Sequence, residues 1–409
     1  MAGGPGSYWI GEEEKKELMD VIEGGYLFRY GADGVDGYRH KVLSFEKEMA
    51  QRLGHRYVVA TNSGTSALQC CLAALGIGAG DEVIVPGYTF IASISSILVC
   101  NAIPVLAEID ESLTIDPKKI ESLITPRTKA IMPVHMLGNP CEMDAIMAIA
   151  KKHGLFVIED ACQAVGASYK GKRLGTIGDI GAYSLNLFKT ITAGDGGFLG
   201  TSDEKLYERA FGYHDQGHKP SRMGVEVGNR SIIGMNFRMN ELTGAVALAQ
   251  GRKLDAILET LRNKKAILKE TLKDIPGLGF RKINDPGECG TLLTLLLDSK
   301  ERAEALCKIV GATTVSTSGW HVYNNMEQIL NKVTAFPANC PYSCPLYKTQ
   351  IEYHKHMLPQ TDSILERAVN ISVGVVDKGL GAGYGININT PDDEVVRVGQ
   401  NLARVIRSL

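Results

Sequence analysis

The chain has 409 residues and a mass of 44.3 kDa, which at roughly 100–200 residues per domain predicts two or three domains with a sizeable core. Its 44 Lys and Arg nearly cancel 46 Asp and Glu, leaving a formal net charge of -2; this argues against a nucleic-acid binder, which would carry a basic excess. Hydrophobic residues at 44% and charged residues at 22% are ordinary for a soluble globular chain, and 45 glycines without a collagen period point to turns and close approaches of backbone to ligand.

The first 40 residues carry no core pattern of their own and are expected to pack against a later, smaller domain. The opening Met-Ala-Gly-Gly-Pro-Gly and the acidic Glu12, Glu13 and Glu14 show no basic-then-apolar leader. Nine cysteines cannot all pair within one chain, and the pair Cys340 and Cys344 has no second pair to complete a zinc site. Free thiols in a reducing compartment, hence a cytoplasmic protein, are the expectation.

From about His55 to Thr201, β-rich runs alternate with helix-length segments. Strands are expected at Tyr57–Thr61, Glu82–Val85, Pro104–Ile109, Ala130–His135, Leu155–Glu159, Ile180–Ser184 and Gly197–Thr201, and helices at Ser66–Leu75, Ile91–Cys100 and Met143–His153. This alternation predicts an α/β unit with a mostly parallel sheet between helices, and ligands in such sheets sit beyond the carboxyl ends of the strands. The uncharged run from Val83 to Ala107 is long enough to raise a membrane span, but Pro86, Asn101 and Pro104 favour a buried strand-helix-strand. A long helix over about 240–274 leads out of this unit, and the remainder mixes strands such as Thr291–Leu297 with helices at Lys300–Val310 and Asp392–Arg407. The expected division is an N-terminal segment over 1–40, a large domain over 41–250 and a small α+β domain over 251–409.

Three segments carry chemistry. In Ile158-Glu159-Asp160-Ala161-Cys162-Gln163 an acid ends an apolar strand; buried there it needs a cationic or donor partner, such as a protonated heterocyclic nitrogen, unless it only caps a helix. In the run from Ser184 to Gly197, Lys189 follows a strand-end serine by five residues among apolar and small neighbours. Such surroundings depress a lysine pKa and suit it to Schiff-base chemistry. In Thr61-Asn-Ser-Gly64-Thr65-Ser66, small and hydroxyl residues open a helix, where backbone N–H groups hold a phosphate. No Walker or dinucleotide fingerprint occurs. Phosphate cradle, an aromatic after a strand at Phe90, then Asp160, Ser184 and Lys189, in that order, suggest pyridoxal phosphate. This cofactor needs an anion site, an amine for its aldehyde and an acid that keeps its ring nitrogen protonated.

At this point the sequence resembles the sugar aminotransferases of the DegT/DnrJ/EryC1/StrS type. The landmarks are Asn62-Ser-Gly-Thr-Ser-Ala-Leu68, Gly80-Asp-Glu-Val-Ile-Val-Pro86, Thr89-Phe90, Pro133-Val-His-Met-Leu-Gly138, Glu159-Asp160-Ala-Cys-Gln163 and Gly234-Met-Asn-Phe-Arg238. The resemblance implies the fold-type I architecture of pyridoxal-phosphate transferases. It implies that Lys189 holds the cofactor as a Schiff base and shuttles protons, that Asp160 pairs with the pyridine nitrogen, and that Gln163 meets the ring hydroxyl. Phe90 would stack on the ring, and Gly64, Thr65 and Ser184 would bind the phosphate. Asn236 would reach the phosphate from a partner subunit, which implies a homodimer with shared active sites.

The implied reaction moves an amino group from glutamate or glutamine to a keto or aldehyde sugar or a cyclitol, in two ping-pong half-reactions. A sugar dehydratase and a non-catalytic cofactor-binding regulator are the alternatives; relatives acting as dehydratases carry His in place of Lys189. Here Ser184-Leu-Asn stands where many members have Ser-Phe-His, and Gly194-Asp-Gly-Gly where they have Gly-Glu-Gly-Gly. After Gln250 the resemblance weakens, and segments such as Gly319-Trp-His-Val-Tyr323 depart from the commoner nucleotide-sugar pattern. A nucleotide sugar, an inosose and an eight-carbon acidic sugar are all compatible acceptors. Arg29, Tyr30, His214, His321 and Tyr323 are candidates for the acceptor pocket. His214 and His218, spaced i,i+4, are broken by Gly217, and no metal site, nucleic-acid site or membrane span is expected.

Overall fold

The computed structural model describes residues 3–31, 34–222, 227–347 and 351–409. Seven strands form the central sheet: β1 (Tyr57–Thr61), β2 (Glu82–Pro86), β3 (Ile103–Ala107), β4 (Thr128–Ile131), β5 (Phe156–Asp160), β6 (Ile180–Ser184) and β7 (Gly197–Thr201). Their order across the sheet is β1-β7-β6-β5-β4-β2-β3. The pairs from β3 to β6 are parallel, and β7 runs antiparallel between β6 and β1. The expected mostly parallel sheet is therefore present, with one reversed strand.

Alternation along the strands feeds two separate cores. Ile84, Ile131, Val157 and Tyr183 face one side, while Val83, Val85, Ala130 and Ile158 face the other, because successive side chains of a strand point to opposite faces. Helix α1 (Glu12–Gly24) is amphipathic, and α2 (Lys41–Leu53) buries Val42, Phe45, Met49 and Leu53 against the first face. Helices α3 (Gly64–Ala74) and α4 (Ile91–Val99) cover the second, with Leu68, Leu72, Ile94 and Ile97. Helix α5 (Met143–His153) returns to the first face through Met143, Ile146 and Ala150. The uncharged run from Val83 to Ala107 is thus strand, helix and strand, and no helix among the described residues is long and apolar enough to cross a membrane.

After α6 (Glu204–His214), the 31-residue helix α7 (Glu241–Thr271) begins at Asn240, whose Oδ1 accepts from Thr243 N at 2.9 Å, an N-cap. It leads to a three-stranded antiparallel sheet of β8 (Leu278–Phe280), β9 (Leu292–Leu297) and β10 (Ala368–Ser372). Helices α8 (Lys300–Val310) and α9 (Asp392–Arg407) pack beside it; α9 buries Val395, Gly399, Leu402 and Ile406, the spacing of one helix face.

The N-terminal segment packs on the long linking helix and on the C-terminal part. It is helical, and α1 lies along α7, where Gln250 Nε2 donates to Glu14 Oε1 at 2.8 Å and Arg252 Nη1 pairs with Glu17 Oε1 at 2.8 Å. Its first residues also reach the second sheet and its surroundings: Gly3 pairs with Val376, and Trp9 Nε1 donates to Asn389 Oδ1 at 2.9 Å. Polar contacts fix this helix, so hydrophobic patterning does not reveal its partner.

Candidate active site

A cavity of about 640 Å³ opens at the carboxyl ends of the parallel strands, the place where such sheets bind ligands. Gly64, Thr65, Phe90, Asp160, Gln163, Ser184, Lys189 and His321 all line it, so the fold brings together residues that lie far apart in sequence.

The anion cradle is built by β1, α3 and β6. Ser63 Oγ accepts from Ser66 N at 3.0 Å and caps α3. The Gly64 and Thr65 N–H groups then have no intrahelical acceptor, as first-turn donors never do, and they face the cavity with the helix dipole behind them. Ser184 Oγ, at the end of β6, accepts from Asn186 N at 3.3 Å and closes the cradle. Gly64 is required by packing: a Cβ there would stand 2.7 Å from Ser184 Cβ and 3.1 Å from Cys162 Sγ. Gly64→Ala is therefore expected to destabilise the fold by about 1–3 kcal/mol and to loosen phosphate retention. Denaturant unfolding with and without cofactor measures both, and unchanged stability contradicts the packing argument.

Asp160 ends β5 and is 4% exposed. Its Oδ2 accepts from Ser93 Oγ at 2.6 Å, and Ser93 Oγ is in turn 2.6 Å from Thr89 Oγ1. Its Oδ1 accepts from Cys162 N at 3.1 Å. No helix follows it, so Asp160 is not a helix cap, and the carboxylate keeps lone pairs for a cationic partner in the cavity.

Lys189 lies in the turn after β6, where its N–H donates to Asn186 O at 2.9 Å. Its Nζ is 5.8 Å from the centre of the Phe90 ring and makes no hydrogen bond or ion pair among the described residues. Burial pushes its pKa below the ordinary lysine value, against the opposing charges of Cys162, Asp160 and Asp377. Lowering favours the neutral amine, the nucleophilic form. Acylation of Lys189 in apoprotein by a small amine-reactive probe is expected to rise with pH and level off below the ordinary value of 10.5. Peptide mass spectrometry reads it, and a plateau only above that value contradicts the desolvation.

Gln163 Oε1 accepts from Leu137 N at 2.9 Å, which fixes its amide at the cavity wall. Phe90 precedes α4 and is 37% exposed, with Trp320 and His321 beside it. His321 Nδ1 is 2.9 Å from Ser318 Oγ, and burial, then the Lys189 charge, lowers its pKa to about 3.

Other expected residues do not converge. Arg29 is buried away from the cavity, with Nη2 paired to Glu46 Oε1 at 2.6 Å and Nη1 donating to Ala60 O at 2.9 Å. His214 Nδ1 faces Phe211 O at 2.5 Å, and its Nε2 lies 3.3 Å from Arg29 Nη1 and 3.1 Å from Tyr30 OH. Burial, then Arg29, holds this imidazole neutral, so Nε2 accepts both bonds. Tyr323 is fully buried and bonded to Asp362 and Leu358 N. Arg29, Tyr30, His214 and Tyr323 do not line this chain's own cavity, and each has a polar partner elsewhere. Asn236 is exposed and lies outside this chain's cavity, in a loop pinned by Asp215 to Arg222 and Arg238, both at 2.6 Å.

Sequence reasoning missed Ser93, Asn186, Trp320 and Asp377, all of which line the cavity. Ser93 had one signal, its place one helical turn after Thr89; the others had none. All nine cysteines are free thiols, and no group of three or more His, Cys, Asp and Glu among the described residues is placed to hold a metal.

The residues fit pyridoxal phosphate. Open N–H groups and Ser184 would suit a phosphate, Asp160 a ring cation, and an unpaired amine at Lys189 an aldehyde. The fold and the site thus define a pyridoxal-phosphate enzyme of fold type I. The profile of the DegT/DnrJ/EryC1/StrS aminotransferase family matches residues 9–376, and the chain belongs to that family; it is a pyridoxal-phosphate-dependent aminotransferase. A GDP-perosamine synthase from Caulobacter vibrioides is 45% identical over 52% of this chain and 57% of its own. The spore coat polysaccharide biosynthesis protein SpsC of Bacillus subtilis is 37% identical over 89% of this chain and 96% of its own. Among solved structures, 3-amino-5-hydroxybenzoic acid synthase superposes with a TM-score of 0.79 at 26% identity, over 98% of this chain and 97% of its own.

Proposed function

We propose that this aminotransferase takes an amino group from glutamate or glutamine and delivers it to a keto or aldehyde sugar or a cyclitol in amino-sugar biosynthesis. The observation that carries this reading is the unpaired Lys189 amine in one cavity with the strand-end carboxylate of Asp160 and the open cradle at Gly64. A relative named for a GDP-linked amino sugar supports the acceptor class.

When bound, pyridoxal phosphate supplies an aldehyde that holds the amine and a ring that spreads carbanionic charge. The chain's own residues do the rest. Gly64, Thr65 and Ser184 would hold the phosphate. Phe90 covers one ring face, and Gln163 meets the ring hydroxyl. Asp160, held by Ser93 and Cys162 N, stabilises a proton on the ring nitrogen. Lys189, with its lowered pKa, would take the donor's Cα proton as the neutral amine and carry it as the cation. The acceptor binds after the deaminated donor leaves, and Lys189 moves the proton in the opposite sense.

Asn236 stands clear of its own cavity on a loop with exposed Ile233 (94%) and Met235 (51%). These features support a homodimer in which Asn236 serves the other copy. The nine free thiols suit the reducing cytoplasm. The division into a large domain to about residue 250 and a smaller one beyond it follows the change from the seven-stranded to the three-stranded sheet.

The test is spectroscopic and kinetic. Holoenzyme mixed with glutamate or glutamine alone is expected to convert its cofactor to the aminated form, and with a keto-sugar acceptor to give parallel double-reciprocal lines. A cofactor spectrum unchanged by either donor rejects the aminotransferase reading in favour of a regulator; water release without amine transfer favours a dehydratase.

A further inference from the structure

Trp320 lines the cavity and is 59% exposed. A bare indole of this size in a cavity wall calls for a partner, since aromatic side chains carry their weight by being covered. Its neighbour in the wall is Phe90, with ring centres 6.2 Å apart and planes 25° apart. Backbone bonds fix the two in register: Thr89 N–H donates to His321 O at 2.9 Å, Ile91 N–H to Trp320 O at 2.8 Å and Tyr323 N–H to Gly87 O at 3.0 Å. The segment carrying Trp320 is therefore stitched to the segment carrying Phe90.

The Lys189 amine, 5.8 Å from the Phe90 ring centre, marks where the reacting carbon must come. A molecule joined at that carbon would lie beside Phe90, whose ring neighbours in the wall are His321, with centres 5.3 Å apart, and Trp320, with centres 6.2 Å apart. Beside it, His321 gives Nδ1 to Ser318 Oγ and keeps Nε2 without a hydrogen-bond partner among the described residues, open to a hydroxyl.

We propose that Trp320 is a stacking platform for the amino acceptor, on which the apolar C–H face of a ring acceptor lies. This rests on the aminotransferase reading above and names its acceptor subsite. An open-chain keto acid offers no rigid face to cover the indole; a saturated ring does, with its hydroxyls at the rim for His321.

The experiment uses holoenzyme and three acceptor probes: a GDP-linked 4-keto sugar, a free inosose and 2-oxoglutarate. Trp320→Ala is expected to raise KM for the ring acceptor roughly tenfold to hundredfold. The glutamate half-reaction and KM for 2-oxoglutarate should stay within twofold, and Trp320→Phe should recover most of the loss. In a Trp9→Phe background, Trp320 is the sole remaining tryptophan of two, and its emission should change on titration with a ring probe. Equal losses for 2-oxoglutarate and ring probes, no loss for either, or no emission change with either ring probe at millimolar concentration overturns the assignment. Failure of glutamate and glutamine to convert the wild-type cofactor overturns the functional reading instead, and the emission titration still decides the platform.

Discussion

Lys189→Ala is expected to abolish transamination, with a loss of at least roughly 10⁴-fold in the glutamate half-reaction. The side chain has two tasks that no neighbour duplicates: its Nζ holds the cofactor's aldehyde, and it moves the proton at the donor's Cα. Among the described residues lining the cavity, Lys189 is the one amine. The variant should still fold, because Nζ makes no hydrogen bond or ion pair and deletion leaves no buried partner stranded. It should also still hold pyridoxal phosphate through the cradle, but release it on dialysis and lack the visible band of the lysine-bound cofactor. Single-turnover spectroscopy reads the rate, and the melting temperature controls for folding. A variant within tenfold of wild type removes Lys189 from the mechanism.

Asp160→Asn is expected to cost roughly 10²–10³-fold in the same half-reaction. The change is nearly isosteric. The amide oxygen can keep the bond from Cys162 N, and the amide nitrogen can turn to Ser93 Oγ, which then accepts instead of donating. Packing is preserved, and what disappears is the negative charge that holds a proton on the ring nitrogen. The loss should appear in kcat rather than in KM, since the charge matters most where the ring carries the donor's electrons. Ser93→Ala, which removes the bonds from Ser93 Oγ to Asp160 Oδ2 and to Thr89 Oγ1, both at 2.6 Å, should cost about tenfold. An Asp160→Asn enzyme that loses donor affinity with kcat intact would falsify this role.

Much of the fold was legible because it is written locally. Strands at Tyr57–Thr61, Ile180–Ser184 and Gly197–Thr201 and helices at Met143–His153, Lys300–Val310 and Asp392–Arg407 lie where apolar periodicity places them. Strand ends shifted elsewhere: Thr128–Ile131 stops short of the apolar Met132, since hydrophobicity does not say where the ladder of hydrogen bonds ends. Helix α1 was hidden because its seating on α7 rests on Glu14 and Glu17 meeting Gln250 and Arg252. Polar partners more than 200 positions apart leave no local period.

The cofactor machinery also follows from local signals. Asp160, Ser184 and Gly64 sit at strand ends or a helix start, and a parallel sheet gathers all such positions at one edge. Lys189 needs only the short turn after β6. The sequence by itself therefore determined the class of chemistry. The acceptor side is different in kind: Trp320 and Asp377 come from segments after the long helix, and they reach the cavity only because residues 320–323 are bonded to 87–91. Arg29, Tyr30 and His214 meet one another outside this chain's own cavity. Whether a polar side chain faces ligand or a buried partner depends on contacts between distant segments, and only the tertiary structure decided it.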